Sequence, residues 1–91
     1  IEPGVYKAGK HGIRIENIVV VDEDIKTESG QFFKFEVLSF VPIDLACIDK
    51  SMLTKDEKQW INKYHSHVFD KISPYLNKEE RAWLEKKTKA I

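Results

Sequence analysis

Hydrophobic and polar residues alternate at the start of residues 12–21, and the run ends in four apolar residues, which is the pattern of a β-strand that becomes covered on both faces. Four β-branched residues, which favour strands, share one face of this predicted strand: Ile13, Ile15, Val19 and Val21. Glycines at positions 4, 9 and 12 punctuate the preceding segment. We therefore predict that Glu2 and Glu16 lie on antiparallel partners joined by an irregular turn.

Two further segments complete the predicted β region. Residues 22–30 are charged and rich in turn formers, so we interpret them as a solvated loop. Residues 32–40 are rich in phenylalanine and predict a third strand, which Pro42 ends because proline cannot donate to a strand ladder.

The second half of the chain has helical spacing. Thr54 and Glu57 form a capping-box signature, which predicts a helix beginning at Lys55. Its apolar stripe closes before Ser73-Pro74 and consists of Trp60, Ile61, Tyr64, Val68 and Ile72. A second such signature at residues 77–80 predicts another helix ending near Lys87. The predicted fold class is α+β, with residues 1–41 as the last hairpin and strand of a larger sheet and residues 42–91 as a helical hairpin.

Composition excludes several classes of function. Fifteen basic residues balance fifteen acidic ones among 91, so the charge favours neither nucleic acid nor an anionic membrane as partner. No segment approaches the ~20 apolar residues of a membrane span, and the single Cys47 cannot form an internal disulfide. We therefore expect a reducing, cytoplasmic setting. Because the first residue is Ile1 rather than Met, we expect a processed product or a shortened piece. The missing ligands of the metal site considered next would then lie upstream of Ile1.

Glu2 and Glu16 are candidate metal ligands, since hard divalent cations prefer carboxylate oxygens. Arg14 shares the strand face of Glu16, and the alternative interpretation is a simple ion pair between Arg14 and a carboxylate. His11 lies in the turn between the two glutamates, where a solvent-exposed residue is the expected outcome.

Other reactive side chains carry weaker signals. His65 and His67 are two positions apart on the predicted helix, so they point to different faces and cannot form a helical zinc pair. Cys47 has no second thiol and is expected to be a buried apolar residue. Trp60 and Trp83 head apolar stripes and are predicted to lie in the core or in a subunit contact.

The motifs Glu2-Pro3-Gly4-Val5-Tyr6, Gly12-Ile13-Arg14-Ile15-Glu16-Asn17 and Val41-Pro42-Ile43 resemble the end of aminopeptidase P, the Xaa-Pro aminopeptidase of the pita-bread metallopeptidase family. The interval of fourteen residues between the glutamates is similar to that of its long, three-domain form. The later residues also look like the C-terminal segment of that form, notably Trp60, Asn62, Tyr64, His65 and Trp83-Leu84. The resemblance thus covers nearly the whole chain.

This resemblance implies a remnant of the antiparallel pita-bread sheet and a site for two divalent metal ions, usually manganese, with zinc or cobalt as alternatives. Glu2 would bind one metal and be a candidate for relaying a proton, Glu16 would bridge both metals, and Arg14 would orient the carboxylates. The substrates would be peptides with proline at the second position, and the protein would be a homodimer. The family's two aspartates and its metal-binding histidine have no counterpart here, so the chain alone is expected to be inactive. The alternative function is a non-catalytic interaction or dimerisation module that exposes Trp60 or Trp83.

Overall fold

The computed structural model describes residues 1–91, which form two compact units, residues 1–39 and residues 40–91. The first unit is built of strands and the second of helices. The α+β class predicted from the sequence is confirmed.

The strand unit consists of two separate antiparallel hairpins. In the first hairpin, β1 (Gly4–Lys7) pairs with β2 (His11–Arg14). In the second, β3 (Val19–Thr27) pairs with β4 (Gly30–Val37). Each sheet has two strands. The unit therefore holds four strands, whereas the sequence predicted three, a hairpin and one further strand.

The prediction of one strand over residues 12–21 is wrong, because the chain changes its pairing partner at Asn17 and Ile18. The Asn17 amide still donates to the carbonyl of Ile1 on the first hairpin. The next residue, Ile18, bonds to the other hairpin instead. Its carbonyl accepts from the amide of Leu38 beside β4, and the Ile18 amide donates to the hydroxyl of Ser39. The apolar run that begins at Ile18 is compatible with a continuation of the same strand, so the sequence pattern does not reveal that these residues serve two sheets.

The predicted loop over residues 22–30 is wrong as well, since most of it is the outer part of β3. Asp24 forms an ion pair with Lys34 of β4 at 3.6 Å, and the register shifts between Glu23 and Lys26. This end of the hairpin is exposed to solvent, so charged side chains are compatible with strand pairing there. The many charged residues in this segment favoured a loop over a strand in the sequence analysis.

Both predicted helices are confirmed, and they begin and end at the predicted residues. Helix α1 spans Lys55–Ile72 and helix α2 spans Lys78–Lys87, with short 3₁₀ turns at Leu45–Cys47 and Ser73–Tyr75. Both capping boxes are formed, by Thr54 with Glu57 and by Asn77 with Glu80. Hydrogen bonds from the amide and then the hydroxyl of Thr54 hold the pKa of the Glu57 carboxyl below its ordinary value.

The core of the helical unit is small and lies along one stripe of α1. Its apolar members are Ile61, Tyr64, Val68 and Leu84. Trp60 and Trp83 remain 51% and 57% exposed, so Leu84 rather than Trp83 is the core residue of α2. Trp60 stacks on Tyr64, with ring centroids 5.5 Å apart.

Three polar side chains of α1 bind the chain segments that lead into and out of this unit. The Tyr64 hydroxyl donates to the carbonyl of Val41 at 2.8 Å, and the Ile43 amide donates to Nε2 of His65 at 3.0 Å. The amide group of Asn62 makes two hydrogen bonds with the backbone of Ile91, at 2.8 and 3.1 Å. One turn of α1 therefore holds both segments by their backbones.

Candidate metal-binding carboxylates

The first hairpin brings Glu2 and Glu16 to the same end of one sheet face. Its turn runs through Ala8 to Lys10, where Gly9 adopts φ +67°, a conformation that favours glycine. In the register, Gly4 lies opposite Arg14 and Tyr6 opposite Gly12. The pairing extends beyond the strands, because the Ile15 amide donates to Pro3 and the Asn17 amide to Ile1.

This register places Glu2 directly opposite Glu16. Ile1 and Asn17 exchange two backbone hydrogen bonds, with the amino group of Ile1 donating to the carbonyl of Asn17. The neighbouring pair of Glu2 and Glu16 is therefore a non-hydrogen-bonded pair, in which side chains of an antiparallel ladder approach most closely. Two like charges in this position repel unless a cation lies between them.

Arg14 is that cation in this chain. Its Nε lies 3.2 Å from a carboxylate oxygen of Glu16, and its Nη1 lies 3.8 Å from one of Glu2. The three side chains are 46–67% exposed, so solvent weakens these ion pairs and leaves the carboxylates accessible. The ion pair considered as the alternative from sequence is present, and it links both candidate ligands.

Tyr6 covers the glycines of the same face. A Cβ atom on Gly4 would lie 2.6 Å from the Tyr6 hydroxyl, and one on Gly12 would lie 2.6 Å from Cδ1 of the ring. The ring thus occupies the space that side chains at both positions would need. Since side chains alternate between faces, Tyr6 shares the face of Glu2, Arg14 and Glu16. Sequence reasoning assigned it no role, although its position four residues after Glu2 already carried that signal.

His11 is not brought to the carboxylates. It pairs with Lys7 beside the turn, at the other end of the hairpin, and the alternation places it on the opposite face from Arg14. Its side chain is exposed, as expected for a turn histidine.

The other candidate side chains have separate locations in the helical unit. His65 is fully buried while His67 is exposed, which confirms that they point to different faces. The prediction of a buried Cys47 is wrong, because its thiol is free and exposed at the end of the first 3₁₀ turn. The half-buried residues on either side of it in this segment are Leu45 and Ile48.

The donor set suits a hard metal ion but is incomplete within the chain. Glu2 and Glu16 offer carboxylate oxygens, the ligand type preferred by magnesium and manganese. No group of three or more His, Cys, Asp or Glu side chains is arranged to hold a metal. These two residues fit as part of a larger ligand set. In addition, neither helix is long and apolar enough to cross a membrane.

Comparison with known proteins identifies relatives over the full chain. Residues 31–91 match the family model described as the C-terminal region of peptidase M24. A probable Xaa-Pro aminopeptidase P of Coprinopsis cinerea is 44% identical over 99% of this chain, and human Xaa-Pro aminopeptidase 2 is 39% identical over 100% of it.

A solved structure shows the same arrangement of the backbone. It is an X-prolyl aminopeptidase from Caenorhabditis elegans, described as a cytosolic enzyme with a di-nuclear active site. The match has a TM-score of 0.89 and 37% identity, and covers the whole of this chain. The chain spans only 14–16% of the length of these three relatives.

Proposed function

We propose an activity from the premise that this chain belongs to the family formed by the C-terminal region of peptidase M24. The full-length protein is a metal-dependent aminopeptidase that hydrolyses the N-terminal Xaa-Pro bond of peptides. The chain described here supplies Glu2 and Glu16 to its metal site. The observation that carries this proposal is the direct opposition of the two carboxylates across the hairpin, with Arg14 joining them.

The residues of this chain have separable tasks in the proposed site. Glu2 would hold one of two divalent ions, Glu16 would hold both, and manganese is the proposed metal, with zinc or cobalt as alternatives. When bound, the ions supply Lewis-acid activation of water and of the scissile carbonyl. The remaining ligands come from the part of the full-length protein that this chain does not include.

Arg14 acts by positioning. Its guanidinium contacts Glu16 through Nε and approaches Glu2 through Nη1, and this fork fixes how both carboxylates present their free oxygens. Glu2 contacts Arg14 through only one oxygen. Its other oxygen can accept a proton during hydrolysis, which is the general-base role proposed for it.

The broader properties of the parent protein belong to the same proposal. Residues 1–41 would complete the catalytic domain and residues 42–91 would be its helical extension. The parent would be a cytoplasmic homodimer acting on peptides with proline at the second position. The 91-residue chain alone would be inactive, because two carboxylates bind a divalent ion weakly.

The test replaces one carboxylate at a time in the full-length protein. We expect Glu2→Gln and Glu16→Gln to abolish cleavage of an Xaa-Pro peptide, with loss of bound metal by elemental analysis that is larger for Glu16→Gln. Glu28→Gln is the matched control, since Glu28 lies exposed in the β3–β4 turn. Full activity of Glu16→Gln, or metal content equal to that of the unmodified protein in both variants, would reject the proposed site.

A second function, an interaction module, is supported by the exposure of the two tryptophans. Trp60 and Trp83 are more than half exposed on the two helices, where aromatic side chains favour a protein contact. If they form a subunit interface, replacing both by Ser converts the full-length dimer to monomers in analytical ultracentrifugation. A dimer that persists in the double variant excludes this role.

A further inference from the structure

His65 is the one polar side chain that the fold buries completely. It lies in the middle of α1, and its Nε2 accepts a hydrogen bond from the Ile43 amide at 3.0 Å. Its Nδ1 is buried and has no hydrogen-bond partner. The ring therefore combines an accepting nitrogen that is essential for one contact with a second nitrogen that is shielded from water.

This geometry requires the neutral ring. A backbone amide can donate only to a nitrogen without a proton, so the single N–H of the neutral imidazole is on Nδ1. A second proton, taken from solvent, would go to Nε2 and face the N–H of Ile43. The hydrogen bond would become a contact between two donors, and a charge without a partner would lie in the core.

No neighbouring charge offsets this cost. The ring of Tyr64 has its centroid 5.9 Å from that of His65, and its hydroxyl is bonded to Val41. Asp44 follows Ile43, but its carboxylate accepts from the amide of Ala46. His67 projects elsewhere, with its ring 5.4 Å from that of Phe40. The residue of α2 that lies in the core is the uncharged Leu84. The guanidinium of Arg81, on the same helix, donates to the carbonyl of Ser73.

We propose that His65 is an acid-sensitive latch that holds residues 41–43 on α1 and releases them when its ring gains a second proton. The released segment is the one through which the chain enters the helical unit. The Tyr64 hydroxyl makes a second contact with this segment, because it donates to the carbonyl of Val41.

The direction of the pH effect follows from the burial of the ring. Burial lowers the pKa of His65 from its ordinary value of 6.5. Above pH 6.5 neither the closed nor the open form binds the extra proton, and the latch has its full stability. As the pH falls below that value, only the open form takes up the proton, so closure weakens until the pH passes below the lowered pKa of the closed form. Uptake of one proton limits the effect to about a tenfold change in the opening equilibrium per pH unit.

The experiment is hydrogen exchange of the peptide containing Ile43, measured by mass spectrometry on the full-length protein from pH 8 to pH 5. After correction for intrinsic exchange rates, we expect opening to increase by up to about tenfold per pH unit below the ordinary pKa of histidine. In His65→Gln the side-chain oxygen can accept from Ile43 without titrating, so the corrected rate should not depend on pH. His67→Gln is the matched control on the same helix and should retain the dependence.

A second measurement needs no variant at His65. Exchange of the imidazole carbon-bound hydrogen gives the pKa of a histidine side chain, and that of His65 should lie below 6.5. Opening should increase over the pH range in which His65 of the open form takes up its second proton. A corrected rate that is independent of pH in the unmodified protein, or a dependence that His67→Gln abolishes, overturns the latch. So does a pKa of His65 at or above 6.5.

Discussion

The ring of Tyr6 lies on the backbone of Gly12, its partner across the first hairpin, and occupies the space that a side chain at position 12 would need. A Cβ atom there would come within 2.6 Å of the ring. Because Tyr6 is 67% exposed, its ring has room to swing away without unfolding the strands. A side chain at position 12 would therefore displace the ring from the face that carries Glu2 and Glu16.

We expect Gly12→Ala in the full-length protein to lower kcat/KM for an Xaa-Pro peptide while changing the free energy of unfolding by less than about 1 kcal/mol. The physical cause is the displaced ring, so the same change should have little effect when Tyr6 is already Ala. A double-mutant cycle on kcat/KM measures this coupling. Independent effects of the two substitutions would show that Gly12 acts through the backbone rather than through Tyr6.

Arg14→Lys should weaken metal binding by the full-length protein. An ammonium group cannot contact two carboxylates with the fixed spacing of a guanidinium, so Glu2 and Glu16 lose their common orientation. Loss of such a supporting contact typically costs about 10–100-fold in metal affinity. Competition with a metal chelator measures it. Arg81→Lys, at the only other arginine, keeps the charge in the helical unit and should leave metal affinity unchanged.

Thr54→Ala should destabilise the helical unit by about 1 kcal/mol, the usual cost of losing an N-cap side chain. The Thr54 hydroxyl accepts from the Glu57 amide at 3.2 Å, and alanine leaves that amide without a partner. Ser66→Ala, at an exposed position inside α1, is the matched control and should cost no more than about 0.5 kcal/mol. Urea unfolding of both variants provides the comparison. Equal effects would mean that the capping box contributes nothing beyond helix propensity.

Asn62→Asp should free the end of the chain described here from α1. The carboxylate can still accept from the Ile91 amide but cannot donate to its carbonyl, so one of two hydrogen bonds is lost. We expect faster amide exchange at residues 88–91 and unchanged exchange at Glu57. If the amide of Ile91 exchanges as slowly as in the unmodified protein, the side chain of Ile91 rather than Asn62 holds this end in place.

The isolated 91-residue chain should associate in solution and show no Xaa-Pro peptidase activity. Large apolar side chains of the second hairpin are about 60% exposed, including Val21, Phe33 and Phe35, and both hairpins have open edges that can pair with another chain. Light scattering at increasing concentration measures the association. Amide exchange should show residues 55–72 better protected than residues 19–27. A monomer with equal protection in both segments, or turnover of a proline peptide with added manganese, contradicts this prediction.

The helices were predictable from the sequence because their signals are local. Thr54 with Glu57 and Asn77 with Glu80 each satisfy helix N-terminal amides within four residues, and the structure begins both helices where these signatures do. The strands depend on distant partners. Nothing near Asn17 in the sequence indicates that its neighbour Ile18 pairs with Leu38, twenty positions away.

The candidate site shows the same division. Glu2 and Glu16 were predicted to converge because a single turn joins their strands, and the hairpin does bring both to Arg14. Their roles as metal ligands remain a prediction, since no group of three or more potential ligand side chains forms within the chain. The error at Cys47 has a different origin, because a lone cysteine in a short 3₁₀ turn has no periodic pattern around it that assigns its side chain to a buried or an exposed face.

The hydrogen bonds between α1 and the backbone of Val41, Ile43 and Ile91 make two distant segments depend on one turn of helix. Residues 62–65 span roughly 5 Å of the helix axis, and they bind residues 41–43 and residue 91. Local unfolding of that turn would therefore release both segments together. The two segments thus belong to one cooperative opening unit, whose stability is set by the middle of α1.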